Sequence, residues 1–224
     1  MPGSPSPAFC VSMLTYALFR RSCVDLIPSE NDVLELLQKT GALRHGHFRR
    51  PDGRHAEIYL QLPLVMRHYT ESKALSVGLS RLLRAQDAVR RHLPTISIVA
   101  PATGGLPVAY GVSEALTASQ TYWAEKEDGH LTFRQFMERH EGEQVVLVDD
   151  LFRSGRKMRE LKALVEGSGA RVLAAAVLVH QVTGEPAELG GVPLLSLLRL
   201  DARSWDADAC PLCLRGEPLT DLRV

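Results

Sequence analysis

The sequence predicts an α/β fold, with a central, mostly parallel sheet flanked by helices. Two observations carry this. Short apolar runs at residues 96–100, 145–148, 172–179 and 192–200 lack polar alternation, as strands covered on both faces do. Helix-like stretches separate them at the distances of βαβ units. Composition agrees: 224 residues, 45% hydrophobic and 23% charged, form a chain too apolar for disorder. Its 26 basic and 26 acidic side chains leave a net charge of +0, without the basic excess that holds a nucleic-acid backbone. No apolar run reaches the roughly 18–20 residues that span a bilayer. Four cysteines in this length do not make a disulfide scaffold. The expected location is cytoplasmic, with neither nucleic acid nor membrane as partner.

The elements follow in order. Residues 1–28, rich in Pro and Ser at the start, read as a flexible leader. Ser29-Glu30-Asn31-Asp32 is a helix N-cap region, followed by Val33, Leu34, Leu36 and Leu37 at helical spacing and stopped by Gly41. Residues 48–62 flank the turn Pro51-Asp52-Gly53, which predicts a hairpin. A second helix opens at Thr70-Glu71, with Leu75, Leu79, Leu82 and Leu83 on one face. The run at 96–100 ends in Pro101-Ala102-Thr103-Gly104-Gly105, and a helix follows from Pro107 to Leu116. Residues 120–124 predict a strand, and residues 125–140 a polar, charged segment. After the strand at 145–148, residues 158–165 predict a helix that ends at Gly167-Ser168-Gly169. Ligands of parallel sheets bind at the carboxyl ends of the strands, so residues 101–105 and 150–157 lie on the functional edge.

Chemistry concentrates in VVLVDDLFRSGRK, residues 145–157. Adjacent strand residues point to opposite faces, so Asp149 and Asp150 cannot share one environment while the strand persists. At its end both can address one ligand, and carboxylates accept bonds from the paired hydroxyls of a ribose. The next loop offers backbone N–H groups and the Ser154 hydroxyl at a helix N-terminus, which suits phosphate. Arg153, Arg156 and Lys157 add positive charge. Acids for a sugar beside donors for a phosphate describe a sugar-phosphate site. An ordinary helix cap at Asp150 is the plain alternative.

This segment resembles the phosphoribosyl-pyrophosphate (PRPP) motif of the type I phosphoribosyltransferases, a Rossmann-like family. Residues 34–61 resemble the N-terminal hood of its orotate members, and residues 99–116 their pyrophosphate loop and following helix. Residues 124–136 are similar to their mobile catalytic loop, and CPLCLRGEPL, residues 210–219, to a tail found in some of them. The resemblance implies a hood at 29–69, a core at 70–200 and a tail at 201–224 packing on the hood. It implies transfer of the phosphoribosyl group of PRPP to a nitrogen base with loss of pyrophosphate. Asp149 and Asp150 would hold the ribose hydroxyls, and Phe152, Arg153, Ser154, Gly155, Arg156 and Lys157 the 5′-phosphate. Thr103, Gly104 and Gly105 would meet the pyrophosphate. Lys126 and His130, with Arg134 nearby, would be the loop cations, serving the neighbouring subunit of a homodimer. Mg²⁺ would be held mainly by substrate oxygens, with no metal site of the protein's own.

Departures from the family pattern bear on substrate. Arg153 replaces a Thr of the phosphate loop, and Arg156 and Lys157 replace small residues. Each lost backbone–phosphate bond costs roughly 1.5–3 kcal/mol, which an Arg–phosphate contact can offset. Gln181 stands where orotate enzymes commonly carry an Arg facing the orotate carboxylate, and Pro51 where some carry Lys or Ser. Arg54 and Gln181 are the candidate base-binding residues. Orotate, giving orotidine 5′-phosphate in pyrimidine biosynthesis, is the expected substrate; another base, or a catalytically weak PRPP-binding regulator, are the alternatives. Cys210 and Cys213 have the spacing of half a zinc site, but Cys10 and Cys23 do not form a second pair. A structural or incidental tail is therefore expected there, with zinc as the minority reading. Trp123 reads as packing and Trp205 as an interface anchor.

Overall fold

The structure, a computed structural model, describes residues 27–134, 141–182 and 188–221. The leader, apart from residues 27–28, and residues 135–136 of the segment expected to form the catalytic loop lie outside them.

The first helix, α1 (Glu30–Lys39), begins in a capping box: the Ser29 hydroxyl accepts the Asp32 backbone N–H, and the Asp32 carboxylate accepts that of Ser29. Val33 and Leu37 are its fully buried positions. The chain turns at Gly41, whose φ of 72° is left-handed. It then forms the antiparallel hairpin β1 (Leu43–Arg49) and β2 (His55–Leu60) around residues 50–54. The C-terminal tail completes this small sheet on both sides. Strand β9 (Ser204–Trp205) pairs with β2 and β10 (Leu219–Asp221) with β1, giving the order β10-β1-β2-β9. Trp205 is therefore a half-buried strand residue opposite His55. Between the two tail strands lies the short helix α7 (Pro211–Leu214).

The short α2 (Pro63–Met66), the long α3 (Tyr69–Ala85) and the short α4 (Asp87–Arg90) lead into the main sheet. Leu75, Leu79 and Leu83 of α3 are fully buried, at the spacing of one helix face. The main sheet comprises β3 (Ser97–Pro101), β4 (Gln120–Glu127), β5 (His130–Thr132), β6 (Gln144–Phe152), β7 (Arg171–Val182) and β8 (Leu194–Asp201). Its order is β5-β4-β3-β6-β7-β8, parallel except for β5 at one edge. Helix α5 (Gly105–Leu116) packs on one face with α1 and α3, and α6 (Arg156–Gly167) on the other.

The strands outrun their apolar cores. β6 continues through both acids to Phe152, and β4 continues to Glu127 before reversing into β5. The reversal is the pair Asp128-Gly129, with φ of 49° and 87°, the backbone of a tight hairpin turn. The first half of what reads as a polar segment, residues 125–132, is thus a short hairpin at the sheet's edge.

Candidate active site

Strands β3 and β6 are neighbours, but the chain leaves β3 for β4 on one side and β6 for β7 on the other. The loops at their carboxyl ends therefore diverge, leaving the crevice in which α/β proteins bind ligands. Each loop runs into a helix N-terminus, α5 at Gly105 and α6 at Arg156. Two sets of backbone N–H groups thus meet one crevice, an arrangement suited to anions. Gly155, at the N-cap of α6, has a φ of 72°, so the turn into α6 favours glycine.

Because β6 persists, its two acids occupy different environments. Asp149 is fully buried and Asp150 half-buried at the crevice. The Asp149 Oδ1 accepts the Asp150 backbone N–H at 2.9 Å, and Lys157 Nζ lies 2.7 Å from Oδ2. Burial pushes the Asp149 carboxyl up to about 8; the negative Asp150 acts in the same direction and Lys157 against it. Both acids press on the other loop. A Cβ on Gly104 would lie 2.5 Å from Asp150 Oδ2, and one on Gly105 would lie 3.2 Å from Asp149 Oδ1. The two glycines are what let the loop and the acids share this space.

A cleft of about 360 Å³ opens here, lined by residues 60–63 and 150–158. Ser154 and Arg156 are exposed in it, and Thr103 is exposed on the facing loop. Phe152 turns inward, buried edge-on against His180 with ring centroids 5.0 Å apart, so it offers the site backbone and not its ring. Two of the departures in sequence touch each other: Arg153 Nε donates to Gln181 Oε1 at 2.7 Å. Burial lowers the Arg153 pKa, helped by nearby Arg50 and opposed by Asp52. Gln61, which the sequence reading passed over, lines this cleft, and Arg50, also passed over, lies near Arg153. Only the chain's return from the hood reveals them.

The remaining candidates lie apart from the acids in the chain itself. Lys126 is exposed on β4, and His130 on β5 lies 3.5 Å from Glu160 of α6. Arg134 bridges Glu125 and Glu127 at 3.4 and 3.3 Å. Arg54 is held by the tail, donating to the Ser204 carbonyl at 2.9 Å and lying 3.5 Å from Asp206. Trp123 donates to Glu125 at 3.1 Å. A larger cleft of about 490 Å³ lies between α3 and α5, but its Lys73 and Glu114 neutralise each other at 3.0 Å. It flanks helices instead of strand ends, so the smaller cleft is the better candidate for chemistry.

The sequence pattern of the phosphoribosyl transferase domain matches residues 90–192, the stretch that holds both crevice loops. The class is thereby a phosphoribosyltransferase. The orotate phosphoribosyltransferase of Heliobacterium modesticaldum is 35% identical over 190 residues, 85% of this chain and 95% of that protein. That of Pelotomaculum thermopropionicum is 36% identical over 191 residues, again 85% and 95%. The crystal structure of orotate phosphoribosyltransferase from Aeropyrum pernix superposes with a TM-score of 0.62 at 26% identity, covering 75% of this chain and 93% of that one. This chain belongs to the orotate phosphoribosyltransferase family.

Proposed function

We propose that the protein transfers the 5-phosphoribosyl group of PRPP to orotate, forming orotidine 5′-phosphate and pyrophosphate in pyrimidine biosynthesis. The observation that carries this is the crevice between β3 and β6, where one half-buried carboxylate faces two glycine-gated helix N-termini. In the reaction the bond from ribose C1 to the pyrophosphate oxygen breaks, one from C1 to a ring nitrogen of the base forms, and that nitrogen's proton is released to solvent. Positive charge grows on the ribose as it does so. Asp150 would accept a ribose hydroxyl and favour that charge. Residues 154–157 would anchor the 5′-phosphate, and the backbone of residues 103–105 would take the leaving pyrophosphate. Asp149, buried behind Asp150 and paired with Lys157, would hold both in place and reach the ribose only if the loop shifts.

The donor set fits Mg²⁺ of the substrate-held kind. The crevice offers the hard oxygen of Asp150 and room for substrate, not a cage of protein ligands. Bound there, the ion would neutralise pyrophosphate charge.

The Arg153–Gln181 pair answers the missing family arginine. Gln181 alone cannot neutralise a carboxylate, but it fixes a guanidinium that can. We assign Arg153 to the orotate carboxylate, with Gln181 as its positioning residue. Arg54, engaged with the tail, would reach the base only after release.

Mixing the protein with PRPP, Mg²⁺ and orotate, uracil, adenine or hypoxanthine, and following pyrophosphate, tests the reading. Turnover with orotate is expected. Turnover with another base alone would reassign the substrate, and PRPP binding without turnover would make the chain a regulator. The exposed β4–β5 hairpin supports a homodimer in which Lys126 and His130 serve the partner's site. A mixture of Lys126→Ala and Asp150→Asn chains is then expected to regain about a quarter of wild-type activity, because random pairing leaves some sites with both residues. No recovery after subunit exchange would place Lys126 in its own chain's site.

A further inference from the structure

The tail cysteines look, in sequence, like half a metal site without a second half. The structure supplies that half as two histidines. His47 on β1, His55 on β2, and Cys210 and Cys213 around α7 bring one ligand atom each into a group whose members all lie within 4.8 Å of one another. We propose that these four residues bind a structural zinc ion that fastens the C-terminal tail to the hood.

The spacing of the ligand atoms supports a shared ion. Tetrahedral zinc with bonds of about 2.3 Å to sulfur and about 2.0–2.1 Å to nitrogen sets nitrogen–sulfur edges near 3.5 Å and nitrogen–nitrogen edges near 3.3 Å. Cys210 Sγ and Cys213 Sγ lie 3.5 and 3.7 Å from His47 Nε2, and Cys213 Sγ lies 3.2 Å from His55 Nδ1. The two imidazole nitrogens are 2.9 Å apart, slightly closer than an ion between them would hold them. Both cysteines are free thiols, available as ligands.

The surroundings fit as well. His47 Nδ1 lies 2.9 Å from the Glu217 carbonyl. A proton on Nδ1 donated to that carbonyl leaves the Nε2 lone pair facing the cluster, the outer-sphere contact typical of a metal-bound histidine. His47, His55 and Cys210 are buried, so water cannot easily replace a missing partner. Two thiolates and two imidazoles in a tetrahedral set select zinc over harder ions, and four protein ligands leave no open position for catalysis. The ion would join strands β1 and β2 to a tail more than 150 residues later in the chain, in addition to the β1–β10 and β2–β9 pairings.

Metal analysis of the purified full-length chain tests this. About one zinc per chain is expected, retained by Cys10→Ser/Cys23→Ser and lost in Cys210→Ser/Cys213→Ser. Cobalt(II) in place of zinc should give the intense visible bands and sulfur-to-metal charge transfer of a tetrahedral thiolate site. That reading uses the unaltered chain, so it stands even if the serine variant fails to fold. A chain that stays metal-free after dialysis against zinc overturns the proposal. So does one that keeps its zinc with Cys210 and Cys213 replaced, or a weak six-coordinate cobalt spectrum.

Discussion

Gly104→Ala is expected to lower kcat/KM for PRPP about 100-fold while leaving the melting temperature within a few degrees of wild type. The added methyl would sit 2.5 Å from Asp150 Oδ2 and 2.8 Å from its Cγ. Real Cβ atoms do not come so close, so either the loop or the carboxylate must move. Both belong to the proposed site, and a displacement of roughly 1 Å at reacting groups costs on the order of 100-fold. The fold has less at stake, because Gly104 lies in a loop and its φ of −62° suits any residue. Steady-state kinetics beside thermal unfolding separates the two effects. Near-normal kinetics would show that the loop yields without cost, and would weaken the case that it meets pyrophosphate closely.

Arg153→Ala is expected to raise the KM for orotate by about 10- to 100-fold, the value of a charge-assisted hydrogen bond, with the KM for PRPP changing much less. The reason is the 2.7 Å bond to Gln181, which holds the guanidinium at the carboxyl end of β7. Gln181→Ala should have a smaller effect of the same kind, because it frees the guanidinium without removing it. Equal losses for orotate and PRPP would return Arg153 to the 5′-phosphate, as the family pattern places it.

Fold class was legible in residues whose burial shows as uninterrupted apolar runs, such as residues 172–179. The ends of strands were not. Asp149 and Asp150 look like the start of a loop, yet β6 carries them, because backbone pairing with β7 and the Lys157 contact outweigh their polarity. The β4–β5 turn did carry its own signal in Asp128-Gly129, obscured by the charges around it. In the site, the acids and the Ser154-Gly155 turn form a contiguous segment and could be read directly. The Arg153–Gln181 contact and the histidine–cysteine cluster join residues far apart in sequence. The β1 strand LRHGHFR lacks the alternation that would announce it. Which histidine faces which cysteine depends on a register that only the folded sheet sets.

The hood sheet takes its middle strands from near the start of the chain and its edges from the end, with His47 opposite Leu219 and Ala56 opposite Ser204. During synthesis the β1–β2 hairpin lacks both of its edge partners until residues 204–221 are made. The last strand of the main sheet is complete at Asp201, before either tail strand begins. The small sheet is therefore the part whose pairing closes last, after the strands of the core it stands beside.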